Sequence, residues 1–194
     1  MQPSGPVTDE FRGLVPRIIP GTTDLLAHCE TFRRLSVIKD DGGQVREVVS
    51  YGIASVYTPD AHRGKSYARQ LLQLIHYIIA PEAQLPPFPS LWGPKPDFGP
   101  KDAQFSILFS GIGDKYYASC RQGEGESSKA GWIRQPITSR TWDVTSDNAG
   151  ITSEEGWKWL GQDDLSHLEQ QTAERMKQDL AGEGQPSFAV LPSW

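Results

Sequence analysis

Apolar positions along this chain change their period from one stretch to the next, and each period predicts an element. From Leu25 to Ile38 aromatic and β-branched residues predict a strand. Asp40-Asp41-Gly42-Gly43 then predicts a hairpin turn, because Asp and Gly tolerate the positive φ such turns require. Val45 to Thr58 supplies the partner strand, with Gly52 the expected place for a bulge. Tyr67, Leu71, Leu74, Ile75 and Ile78 then recur at helical spacing until Pro81 stops them. Arg69, Gln70, Gln73 and His76 fall on the opposite face and are expected to meet water. Gln104 to Ile112 predicts a buried strand and Asp114 to Cys120 a short helix. Trp132 to Val144 is strand-like, broken by Pro136. Leu165, Leu168, Thr172, Met176 and Leu180 predict a second amphipathic helix over 163–180, opened by Asp163 and Asp164.

Between these elements lie stretches without a period. Residues 1–24, rich in Pro, Gly and Thr, predict a poorly ordered lead-in. Residues 81–100 hold seven of the fifteen prolines, with Trp92 and Phe98, and predict a long stiff loop over 81–103. Arg121 to Ala130 has the composition of a disordered loop. The net charge of −5 argues against a general nucleic-acid binder. No apolar run reaches membrane-spanning length, and the first twenty residues lack the apolar core of a signal peptide. Cys29 and Cys120 are too few for a disulfide framework and have no metal-ligand neighbours, so no metal is expected. A cytoplasmic setting follows as the expectation.

The chemistry concentrates where strand meets helix, at Val56-Tyr57-Thr58-Pro59-Asp60-Ala61-His62-Arg63-Gly64-Lys65-Ser66-Tyr67-Ala68-Arg69. The first N–H groups of a helix have no intrahelical acceptor and the helix dipole adds positive charge, so such a turn binds phosphate. Cations at a helix start are otherwise mildly unfavourable, and Arg63 and Lys65 stand there. Gly64-Lys65-Ser66 matches the end of G-x-x-x-x-G-K-[ST]. Pro59 stands where that triphosphate loop needs its first glycine and lacks the N–H to donate. His62 either touches phosphate or faces solvent.

Arg63-Gly64-Lys65-Ser66-Tyr67-Ala68 resembles the R/Q-x-x-G-x-G/A pyrophosphate turn of the GNAT acetyltransferases, with Ser66 in place of the middle glycine. The resemblance extends to Cys29–Arg34, Tyr51–Pro59 and Phe105–Tyr117, in order over roughly 25–144, and more weakly to the C-terminus. In those stretches the chain resembles the fungal lysine N-acetyltransferases of lysine catabolism, a GNAT branch. The resemblance implies an α/β fold, an incomplete GNAT acyltransferase domain over 25–144. Its sheet would be mixed and mostly antiparallel, with a central helix after the cofactor turn. It implies that 145–194 is a linker helix and the start of a truncated C-terminal domain, Phe188-Ala189-Val190 opening it. Acetyl-CoA is the implied co-substrate, held by Val56, Tyr57, Arg63, Gly64, Lys65, Ser66, Tyr67 and Ala68. The implied proton donor to the departing thiolate is Tyr117, with Tyr116 the alternative. Glu30, in the strand pair near the cofactor strand, is the candidate to shed a proton through water or to bind the substrate's ammonium, and the implied acceptor is a small-molecule amine, the side-chain amine of L-lysine. No nucleic acid or membrane partner is implied. The Gly-aromatic pair that follows the short helix in that family has its counterpart in Gly131-Trp132, displaced by the 121–130 stretch. A non-catalytic, acetyl-CoA-binding fragment is the competing expectation.

Overall fold

The computed structural model describes residues 8–135, 141, 159–182 and 187–192. Its centre is a long antiparallel hairpin of β2 (Ala27–Lys39) and β3 (Val45–Tyr57). The Asp40 carboxylate closes the turn by accepting from the amides of Gly42 (3.0 Å) and Gln44 (2.9 Å), and Gly43 takes φ +79°. Both features are what an Asp-Gly turn chemically provides.

Strand order is β1-β2-β3-β4, with β5 beside β2. The lead-in expectation is corrected here. Asp9–Leu14 forms β1, antiparallel to β2 from Asp9 opposite Phe32 to Leu14 opposite Ala27. No apolar alternation announces this strand: its less exposed positions are Glu10, Arg12 and Leu14 and its exposed ones Asp9, Phe11 and Gly13, so the pairing with β2 defines it. β4 (Phe105–Leu108) is shorter than its apolar run and pairs in parallel with β3, the one parallel pair among the described strands. β5 (Ser187–Val190) pairs with Ser36–Lys39 on the edge of β2 that β1 leaves open. Phe188-Ala189-Val190 is therefore part of this same sheet, a correction to the separate-domain expectation. The architecture is a mixed α/β fold with a mostly antiparallel sheet and few helices.

α1 (Tyr67–Ile79) lays Leu71, Leu72, Ile75, Ile78 and Ile79 against Ala27, Cys29, Val49, Tyr51 and Ile53 of the sheet. Burying each such aliphatic side chain stabilises the fold by about 1.5–3 kcal/mol. His76 belongs to this buried side too, at 4% exposure. Its ring stacks on Trp132 at 4.3 Å and its Nε2 lies 3.2 Å from the Cys120 carbonyl. A helical period assigns faces but cannot foresee that a second layer covers the polar flank. α2 (Asp114–Ala118) adds Tyr117 and, just beyond it, Cys120 to the same core. α3 (Gln162–Gly182) packs Ala173, Met176 and Leu180 onto Val37 and Leu191, a second small core at the far end of β2.

The proline-rich loop folds onto the end of α1. Tyr77 donates to the carbonyls of Pro86 and Pro87, and Phe88 and Trp92 meet its ring edge-on. Residues 121–130, expected to be disordered, form a closed excursion: Gln122 and Lys129 exchange backbone hydrogen bonds and Arg121 bonds to Ser128. Closure returns Gly131 to α2, where its amide donates to Ala118 and that of Trp132 to Tyr117. The displaced Gly-Trp pair thus reaches the helix in space. A Cβ on Gly131 would lie 2.4 Å from two backbone oxygens, which explains the glycine. Residues 132–135 are not in a strand, and 136–140 and 142–144 of that expected strand lie outside the described residues.

Candidate functional site

The site begins where β3 stops being regular. Glu30 faces Ala54 but His28 faces Tyr57, so β3 carries one extra residue between them. Ser55 absorbs it, in a left-handed conformation at φ +52°. The bulge expected at Gly52 is corrected: Gly52 pairs regularly with Phe32. The parallel pairing with β4 ends at Ile53 opposite Leu108 while β3 runs on to Tyr57. β4 ends there, so 54–57 of β3 have no β4 partner, and that end of β3 leads into the turn that precedes α1.

That turn is built almost wholly from backbone. Asp60–His62 form one 3-10 turn, with the amides of His62 and Arg63 donating to the carbonyls of Pro59 and Asp60. Gly64 at φ +74° and Ser66 at φ +63° then place left-handed residues on either side of Lys65. The first helical bond runs from the Gln70 amide to the Ser66 carbonyl, 3.0 Å. Among the described residues, the amides of Gly64, Lys65, Ser66, Tyr67, Ala68 and Arg69 donate to no protein acceptor. Consecutive amides at such a turn make a concave, anion-binding nest, reinforced by the helix dipole. All of these residues but Lys65 border an open cavity of about 240 Å³.

Of the residues expected here, Arg63, Gly64, Ser66, Tyr67 and Ala68 line the cavity. Lys65 does not: its ammonium donates to the Ala61 carbonyl at 3.1 Å. Val56 packs into the core, and Tyr57 lies on the other side of the strand, against His28. Arg63 is held by Asp60 at 2.9 Å and by the Thr58 carbonyl, with its guanidinium 5.7 Å over the Tyr57 ring. His62 pairs with Asp24 across 3.2 Å and also borders the cavity. Glu30 sits at the bulge and receives a 2.5 Å hydrogen bond from Ser55.

Two lining residues, Arg69 and Thr58, are not among those expected here, and a third, Tyr116, is expected only as the alternative to Tyr117. Arg69 is exposed, as expected, and also sits one turn from Ser66 on the border of the same cavity; the spacing of three is the available signal. Thr58 was the second. Tyr116 is the third and lines the cavity, whereas Tyr117 is 7% exposed and packs beside Trp132 in the core. Burial pushes the Tyr116 phenol above its ordinary range, helped by Cys120 and Tyr117, so it is protonated at neutral pH. Among the described residues no cluster of His, Cys, Asp or Glu is arranged to hold a metal ion, and no helix is long and apolar enough to cross a membrane.

No family model matches the chain, and no solved structure matches it. A stretch of 48 residues is 33% identical to a lysine acetyltransferase of Yarrowia lipolytica (strain CLIB 122 / E 150). That stretch is 25% of this chain and spans only 12% of the relative's length. The likeness is to an acetyltransferase, and it extends to that quarter of the chain.

Proposed function

We propose that the turn at 63–69 binds the diphosphate of acetyl-CoA and that the chain directs transfer of the acetyl group to a small-molecule amine. At its finest the proposal names the side-chain amine of L-lysine, within a GNAT-type domain acting in the cytoplasm. The observation that carries it is the run of six amides without protein acceptors at the start of α1, five of them on residues that border an open cavity. Residues of this chain supply the rest. Arg69 and Arg63 add positive charge at the rim, where charge-assisted contacts to phosphate are strongest. The bound thioester brings the activated acetyl group. The end of β3, without a β4 partner beyond Ile53, leaves backbone amides available beside it, the kind of donor that stabilises charge on a carbonyl oxygen. Tyr116, protonated and on the cavity wall, is our proton donor for the departing thiolate, in preference to the buried Tyr117. Glu30 attracts the charged acceptor, whose amine must shed a proton with pKa near about 10.4 before it attacks. A GNAT-type assignment is supported by the parallel pairing of β3 with β4, which stops at Ile53 while β3 runs on to Tyr57.

A second reading, binding without turnover, is favoured by Ser66, which holds a strained conformation where the family turn has glycine. The experiment is a thermal-shift titration with acetyl-CoA, followed by thiol release in the presence of L-lysine. Acetyl-CoA is expected to raise the melting temperature, Gly64→Pro to abolish that rise, and ATP to compete poorly. A shift undiminished in Gly64→Pro refutes the cofactor site. A shift without thiol release selects the second reading.

A further inference from the structure

A second cavity, of about 220 Å³, opens on the sheet. Cys29, Tyr51 and Ile53 face α1, so Phe32 and Gly52 belong to the opposite face, since successive strand residues alternate. Four strands contribute. Phe32 of β2 pairs with Gly52 of β3, Gly52 pairs with Ile107 of β4, and Val190 enters from β5. Phe109, just past the end of β4, borders the cavity and is 88% exposed.

Gly52 leaves the floor bare. The bulge of β3 is at Ser55, whereas Gly52 sits in a regular pair with a φ outside the left-handed region, so its backbone suits any residue. Packing does not demand glycine either, because a Cβ there would meet the Phe32 Cβ at 3.7 Å, an ordinary contact. Glycine inside a strand weakens it, and where there is no bulge its remaining use is to let another group approach the backbone closely.

One charged side chain borders the cavity, Arg34. Its guanidinium lies 5.3 Å from the Phe32 ring centre. Its Nη1 donates to the Arg33 carbonyl at 3.3 Å and to the exposed Asp9 carboxylate at 3.5 Å, both long for such bonds. Among the described residues its Nε and Nη2 donate to no protein acceptor, which leaves one two-nitrogen edge for a carboxylate. Glu30 cannot supply it: four positions along β2 it is about 13 Å away, and Ser55 bonds to it. At about 30 Å³ per water the cavity has about seven water volumes, less than a drug-sized ligand needs and enough for an acid of about six carbons.

We propose that this cavity binds a small monocarboxylate with an apolar body, its carboxylate on Arg34 and its carbon chain on Gly52 between Phe32 and Ile107. Burial against ring and aliphatic walls holds the body, and the guanidinium edge selects the sign of the charge. The lining shares no residue with the cavity at the phosphate turn, so the site stands apart from the acetyl-transfer reading.

The test is an NMR titration of the full chain at neutral pH, without acetyl-CoA, using hexanoate, 1-hexanol and n-hexylammonium as probes. The methyl resonances of Ile107 and Val190 and the ring of Phe32 are followed. Hexanoate is expected to shift them saturably, 1-hexanol to bind about tenfold more weakly and n-hexylammonium more weakly still. Arg34→Gln is expected to weaken hexanoate about tenfold and to erase its advantage over 1-hexanol. Gly52→Val fills the floor and is expected to weaken both about tenfold or more, with a melting temperature no lower than the parent's. The proposal is overturned if hexanoate does not saturate, if either other probe binds as well, or if either folded variant keeps the parent's affinity for hexanoate. Arg34→Gln decides the matter alone if Gly52→Val fails to fold.

Discussion

Replacing Ser66 with glycine is the perturbation that most directly tests a turn built from backbone. Ser66 stands at φ 63°, ψ 18° just before α1, and its hydroxyl makes no capping bond. A left-handed conformation costs an L-residue about 1–2 kcal/mol. Glycine removes that cost but gives back about 0.4–1 kcal/mol through the greater freedom of the unfolded chain. Ser66→Gly is therefore expected to stabilise the protein by about 0.5–1 kcal/mol, since no hydrogen bond is lost. For 194 residues that corresponds to a rise of about 1–3 °C in melting temperature. The converse change is Gly64→Ala. A Cβ there meets nothing within 4 Å, so only φ +74° opposes it. A loss of about 1 kcal/mol, or about 2–4 °C, is expected from conformation alone. The assay is thermal unfolding of the three proteins with and without acetyl-CoA. In Ser66→Gly the ligand-induced shift is expected to be at least that of the parent, because removing a Cβ eases the approach of phosphate to the amides. A lower melting temperature in Ser66→Gly, or a smaller ligand shift, would refute the reasoning by showing that the hydroxyl contributes what we ascribe to backbone.

Three further outcomes follow from other parts of the molecule. Tyr116→Phe is expected to slow thiol release by about 100-fold or more, the scale of a lost general acid, while leaving the acetyl-CoA shift in place; Tyr117→Phe acting as strongly, with Tyr116→Phe silent, would reverse the assignment. Burial lowers the pKa of His76 to about 4, so between that value and 6.5 the unfolded chain binds the extra proton. Its stabilising contribution, roughly 3 kcal/mol, is present above pH 6.5 and lost as pH falls toward 4. The dependence of melting temperature on pH should be shallower over that window in His76→Gln, and equal slopes would count against it. Gly131→Ala forces a Cβ against the carbonyl oxygens of Tyr117 and Cys120, and a cost of about 2 kcal/mol or more is expected in denaturant unfolding. A loss below half that figure would show that 131 moves freely.

Local chemistry made several elements legible in advance. The Asp40–Gly43 turn, the helix from Tyr67 and the helix that ends near Leu180 lie where period and turn residues put them. So does the cluster of free amides after Arg63, because a strand-to-helix turn with glycine in it has few alternatives. What failed were statements about layers. β1 and β5 are short, and a strand of four to six residues is stabilised by its partner rather than by its own composition. The 121–130 stretch is ordered by one backbone exchange and by Arg121, contacts that no compositional rule contains.

For the site the division is sharper. Which amides are left without an acceptor was set by sequence, since the amides of a turn belong to the local chain. Which tyrosine reaches the cavity depends on how α2 rolls against Trp132, and adjacent helical positions differ by about 100° of rotation. The cavity over Gly52 is likewise invisible in one dimension, because Phe32, Gly52, Ile107 and Val190 come from four strands. Sequence alone determined the turn, the hairpin and the helical periods, all governed by interactions within a few residues. Only the tertiary structure decided strand neighbours, the bulge at Ser55 and the faces they create, because those follow from register between distant segments.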